Sequence, residues 1–278
     1  MEENVLWITK LVNHIVGPLA SSLLANLHIT PTDPRLPIPQ HVVMGTLVVL
    51  LGTILALILK SRLSVEKPGA LQQSAEMILT NPMGFGIKDL LQENVHHGAT
   101  KLIPFVGSIS IFVLLANLLG AFPSSFLVAP TGQVTVPLAC AILTFLYFNY
   151  HGFAHHGMGK YVATFAGSPH SAGDWALAIL LFPVELISTG ARLLSLTVRL
   201  WANMYASDLI YSIFLGLLVG VSSFGWSKSP VLGVILGIFP AIIPVAFILL
   251  HIFVAVVQAY VFTVLPSVYL GMATADEH

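Results

Sequence analysis

Charge is what this chain has least of. Of 278 residues, 8% are Asp, Glu, Lys or Arg, against roughly 25% in soluble domains. Mean hydropathy is +0.89. So little charge excludes an ordinary soluble domain and reads as an all-α polytopic membrane protein. The formal net charge of -1 lacks the basic excess of a nucleic-acid binder. A single cysteine, Cys140, excludes an intrachain disulfide and any cysteine-built metal site. The sequence has no phosphate-cradling glycine loop, nucleophile elbow or metal-ligand cluster, so no metal, cofactor or catalytic chemistry is expected of it. Its start, MEENVLWITK, lacks the basic stretch of a signal peptide, and insertion through the chain's own spans is expected.

What is abundant is apolar sequence in long runs. Residues 1–40 are mixed and end in a proline-rich loop, TPTDPRLPIPQ, which reads as an extracytoplasmic segment. A membrane domain follows over 41–273, with helices expected at about 41–60, 102–122, 134–151, 174–222 and 230–272, and a short tail at 274–278. Between the first two helices, 60–101 mixes apolar and polar residues like a surface segment. The stretch HGFAHHGMGK reads as a solvated loop, and its histidines, like His96 and His97, suggest no metal site. The last apolar run is twice the length of an upright span, so either Pro240 and Pro244 break it or it lies tilted. With five spans, Lys60, Arg62, Lys67, Lys88, Lys101 and Lys160 share one side. The positive-inside rule then places the N-terminus outside and the C-terminus in the cytoplasm, in a bacterial plasma membrane.

The rare charges are where function is expected. On the fourth helix, Glu185, Ser188, Arg192, Ser195, Arg199, Asn203 and Ser207 recur at steps of three and four, forming one polar seam on a greasy helix. A lone charge at the bilayer centre costs about 2.5–3.5 kcal/mol, so such a seam faces a partner, a cavity or an ion path. Glu185 and Arg199 lie about 21 Å apart along the axis, too far to pair directly. Arg192 is open to a second reading, as an anchor to lipid headgroups. Asp208 follows Arg199 by nine residues and points away from the seam. The last helix carries two strongly polar groups, His251 and Gln258, seven residues apart on one face. Histidine and carboxylates relay protons, whereas arginine holds its charge and makes a gate. A self-contained transporter or channel would also use such a seam; a purely structural membrane subunit would not need it.

The stretches SLTVRLWANMYASDLIYSIFLG (195–216) and HIFVAVVQAYVFTVLPSVYLGMA (251–273) strongly resemble subunit a of the F-type ATP synthase. R-L-x-x-N-M places the family's essential arginine at Arg199, with Asn203 and Met204. The helix-end pattern N-L-x-G-x-x-P falls on Asn117, Leu118, Gly120 and Pro123. Where many members carry an acidic residue after a Pro-Thr turn, this chain reads PTGQVTVPLA.

The resemblance implies a stator with two offset half-channels for protons, set in the lipid bilayer against a ring of c subunits and joined to peripheral-stalk b subunits. It implies that the last two helices form a long, strongly tilted hairpin against that ring. Arg199 would separate the half-channels and meet the ring carboxylate. Asp208, His251 and Gln258 would line a half-channel. Glu185 and Arg192 would belong to the cytoplasmic exit, and Asn203, Ser195 and Ser188 to the hydrated seam. Such a subunit binds no nucleotide and no nucleic acid.

Overall fold

The computed structural model describes residues 5–31, 33–81, 84–95, 98–122, 127–167 and 172–274, with side chains except at 172–176 and 235–244. Among the described residues every regular element is helical: α1 (Trp7–Asn26), α2 (Gln40–Ser61), α3 (Ala70–Leu79), α4 (Ile87–Asn94), α5 (Ala99–Leu119), α6 (Thr135–His156), α7 (Met158–Phe165), α8 (Ala172–Lys228) and α9 (Pro230–Thr274). A 3-10 turn, Pro130–Gly132, precedes α6. Among the described residues five helices, α2, α5, α6, α8 and α9, are long and apolar enough to cross a membrane. The chain is an all-helical, multi-pass membrane protein.

Several elements differ from the sequence reading. The mixed N-terminal stretch forms the 20-residue α1, and the polar 60–101 region contains the short helices α3 and α4. The expected histidine-rich loop is helix as far as His156, because Gly152 lets the Tyr161 ring pack directly on the α6 backbone. α7 follows after Gly157, whose φ of 78° is the left-handed conformation glycine tolerates best. α8 runs 57 residues to Lys228, six beyond the expected end at 222, and α9 is helical through positions 240 and 244. His96, His97, Pro123 and residues 275–278 lie outside the described residues.

Contacts divide the chain into two compact units. The first comprises residues 1–53, 112–136 and 200–257. Here α8 and α9 fold back on each other around Ser229. A Cβ added to Gly225 would lie 2.7 Å from Gly233 Cα, so the two backbones meet there without side chains between them. Further along, Phe214 stacks on Phe247 at 5.0 Å and Ser207 meets His251. These pairings fix an antiparallel helical hairpin. Leu6, Met44, Val48, Ala116 and Leu119 form the core that joins α2 to the end of α5.

The second unit comprises residues 54–111, 137–199 and 258–278. Its core gathers Ile87, Leu91, Leu102, Val106, Phe148, Tyr161 and Leu270 from α4, α5, α6, α7 and α9. Small hydroxyl residues join α5 to α9: Ser110 Oγ lies 2.7 Å from Thr263 Oγ1, both buried. Short side chains let the backbones approach, and the shared hydrogen bond replaces the water that a membrane interior lacks. Gly271 presses on the backbone carbonyl of Asn94, docking α9 against the end of α4.

Candidate functional site

In the first unit the site begins at the end of α5. The last four carbonyls of a helix lack intrahelical partners. The Asn117 carbonyl accepts one bond from the Gly120 amide at 3.0 Å and a second from His251 Nε2 at 3.0 Å. Gly120 makes room for this: a Cβ there would stand 2.8 Å from His251 Nε2. The Asn117 side-chain oxygen is also committed, accepting from Thr131 Oγ1 at 2.7 Å, while its Nδ2 is buried without a hydrogen-bond partner. Thr131 lies on the 3-10 turn, and the helix-end motif thus builds a seat for a histidine from another helix.

That seat fixes the chemistry of His251. A carbonyl only accepts, so Nε2 carries the proton in the neutral ring. Nδ1 is then the acceptor, and the Ser207 hydroxyl donates to it at 2.7 Å. If the ring is protonated, both nitrogens donate and the Ser207 hydroxyl must turn around. Beside this pair, Asp208, Tyr211 and Gly120 line a cavity of about 10 Å³, room for about one water. Gly132 closes on the same carboxylate, since a Cβ added there would lie 3.4 Å from Asp208 Oδ2. The turn without an acidic residue of its own therefore abuts one supplied by α8.

In the second unit a larger cavity of about 180 Å³ is lined by Tyr161, Glu185, Thr189, Arg192 and Tyr269 among others, room for several waters. Arg192 Nη2 donates to Glu185 Oε1 at 3.2 Å, and its guanidinium lies 5.5 Å from the Tyr269 ring centroid. The Tyr161 hydroxyl, buried and bonded to Asn149 Oδ1 at 3.2 Å, has its pKa pushed up by burial.

Arg199 lines neither cavity. It is exposed, and no acidic side chain among the described residues pairs with it. Asn203 and Ser195 are exposed on the same helix, and Ser188 is half-buried. Gln258 is buried, with its Oε1 left without a hydrogen-bond partner.

Each predicted site residue thus has a place. His251 is joined to Ser207 with Asp208 alongside, Glu185 is joined to Arg192, and Arg199 faces outward. Asn117 falls in the expected helix-end motif, but the hydrogen bond of its backbone carbonyl to His251 had no signal in the sequence. Tyr211, Tyr161 and Tyr269 carried no signal, because aromatics in apolar helices are commonplace.

Residues 42–271 match the family model described as "ATP synthase A chain". ATP synthase subunit a of Koribacter versatilis is 33% identical over 273 residues, 98% of each chain. That of Solibacter usitatus is 37% identical over 242 residues, 87% of this chain and 90% of the relative. That of Rhodospirillum rubrum is 34% identical over 206 residues, 74% of this chain and 76% of the relative. With the match running from the start of α2 to the end of α9, the chain belongs to the ATP synthase A chain family, the a subunits of ATP synthases.

Proposed function

We propose that this chain is the proton-translocating stator of an F-type ATP synthase membrane sector, with Arg199 as the gate between two half-channels. The observation that carries this reading is an unpaired, exposed arginine on a membrane helix. Left in lipid it would cost about 2.5–3.5 kcal/mol. Among the described residues no carboxylate pairs with it, so we assign its counter-charge to a partner: the mid-membrane carboxylate of a rotating c subunit.

Arginine does not release its proton at physiological pH, so it cannot carry one. It can hold the ring carboxylate ionised and block a cation from crossing directly, so that each proton must travel with the ring. Asp208, His251 and Ser207 supply titratable and hydroxyl groups for one half-channel, and Glu185 and Arg192 line the cavity we assign to the other. In this reading Gln258 lies near Arg199. There the unpartnered amide oxygen of Gln258 can accept from the guanidinium. Asn203 and Ser195 hydrate the face between.

Helices of this length fit a membrane only when strongly tilted, and we read α8 and α9 as a tilted hairpin following the c ring. Peripheral-stalk b subunits complete the stator. The N-terminus lies outside the bacterial plasma membrane and the C-terminus in the cytoplasm. The chain itself performs no catalysis and binds no nucleotide.

The test is ATP-driven acidification of membrane vesicles carrying the wild-type chain or Arg199→Ala, with assembly checked in both. Loss of pumping in an intact complex is expected. Unchanged pumping would make the arginine structural and sink the assignment.

A further inference from the structure

The N-terminal helix α1 lies mostly ahead of the seam, the cavities and the family match, and its three sides differ in chemistry. At about 100° per residue, Thr9, Asn13 and Gly17 occupy one side, and all three are buried. This side is pinned to the segment just before α2: Asn13 Nδ2 donates to the Ile38 carbonyl at 3.0 Å and Asn13 Oδ1 accepts from the Ile38 amide at 2.9 Å. A Cβ on Gly17 would meet Pro37 at 3.4 Å, and the Leu6 amide donates to Gln40 Oε1 at 3.3 Å. A second side carries Lys10, His14 and Ser21, all exposed. A third carries Trp7, Leu11, Ile15, Leu19 and Leu23, each at least 50% exposed.

A soluble protein would turn that apolar stripe inward; here the polar side is inward and the apolar side out. A spanning helix carries such a polar side only where a partner or an aqueous path covers it, whereas Lys10, His14 and Ser21 are exposed. Although α1 has 20 residues, it is not among the helices apolar enough to span. Protein beside it, water on a second side and hydrocarbon on a third describe a helix lying at the membrane surface. Its attachment to residues 37–40 holds it where α2 enters the bilayer. That span exposes apolar side chains of its own, among them Val42, Val49 and Leu50. Tryptophan at one end suits the interfacial level.

We propose that α1 is an interfacial helix lying in the membrane plane, its Trp7–Leu11–Ile15–Leu19–Leu23 stripe seated in lipid. Its occupant is the bilayer and not another protein.

The test is spin labelling of the full chain in its assembled complex in phospholipid vesicles. Cys140→Ser serves as the background for the single variants Trp7→Cys, Leu11→Cys, Ile15→Cys, Leu19→Cys, Leu23→Cys, Lys10→Cys and His14→Cys. Relaxation by oxygen reports lipid depth, and relaxation by a water-soluble nickel chelate reports water. The stripe labels should share one shallow depth, and labels at 10 and 14 should favour the nickel chelate several-fold. A depth that changes steadily along the stripe, by about 6 Å for every four residues, would make α1 a spanning helix and overturn the proposal. Stripe labels shielded from both reagents would show a protein partner in place of lipid and overturn it equally.

Discussion

Ser207 and His251 meet across the α8–α9 hairpin at 2.7 Å, and the Asn117 carbonyl on the far ring nitrogen decides which of the two donates. The neutral ring has its Nε2 proton held by a carbonyl and its Nδ1 lone pair held by a hydroxyl. The first prediction follows from that division. Ser207→Ala removes the donor to Nδ1 and leaves the acceptor on the buried His251 without its partner, at a cost of about 1–3 kcal/mol. ATP-driven acidification should fall roughly five-fold or more with assembly intact, and Ser207→Thr should recover most of it. Full pumping by the alanine variant would remove the hydroxyl from the relay.

Gly120 is predicted to be as sensitive as any charged residue. A Cβ there would lie 2.8 Å from His251 Nε2 and 2.9 Å from Ala129 Cβ. Gly120→Ala must therefore push the imidazole off the Asn117 carbonyl, with a strain of about 1–3 kcal/mol. Pumping by vesicles, set against the thermal stability of the purified complex, checks this. Loss of pumping larger than the stability change is expected.

The pair between Arg192 and Glu185 tests whether the second cavity is wet. Their side chains are 22% and 40% exposed, so in a water-filled cavity the pair is screened. A double-mutant cycle with Arg192→Gln and Glu185→Gln, read by thermal stability, should give a coupling of about 0.2–1 kcal/mol. A coupling above about 3 kcal/mol would mean a dry cavity, and the exit path would have to run elsewhere.

Two glycine variants separate packing from tolerance. Gly271→Ala drives a methyl group into the Asn94 carbonyl, a backbone atom with little room to yield, and should cost about 1–3 kcal/mol. Gly216, within α8, has nothing within 4 Å of an added Cβ. Gly216→Ala should be neutral or stabilise by about 0.5–1 kcal/mol. The amount of chain retained in membranes after mild heating distinguishes the two.

The sequence made the membrane helices legible because a bilayer imposes one strong rule, a long run without charge. It made the seam legible because charge is so rare here. α1 stayed hidden because its polarity is divided three ways, which averages to no clear signal in a linear reading. The seat of His251 stayed hidden for a different reason. Its decisive atom is a backbone carbonyl, which every residue possesses, freed only because α5 ends at Leu119. Tyr269 over Arg192 was likewise unreadable, since 77 residues separate them and only the folded chain brings them together.

The unbroken length of α8 makes it a ruler as much as a scaffold. Between Glu185 and Asp208 there is no loop to absorb a change in residue number. Deleting one residue between Arg199 and Ser207 would shorten the spacing by about 1.5 Å and rotate one group against the other by about 100°. Each substitution along this stretch carries its own separate cost. An insertion or deletion would instead misplace every functional group beyond it at once, so this part of the chain can vary in composition but not in count.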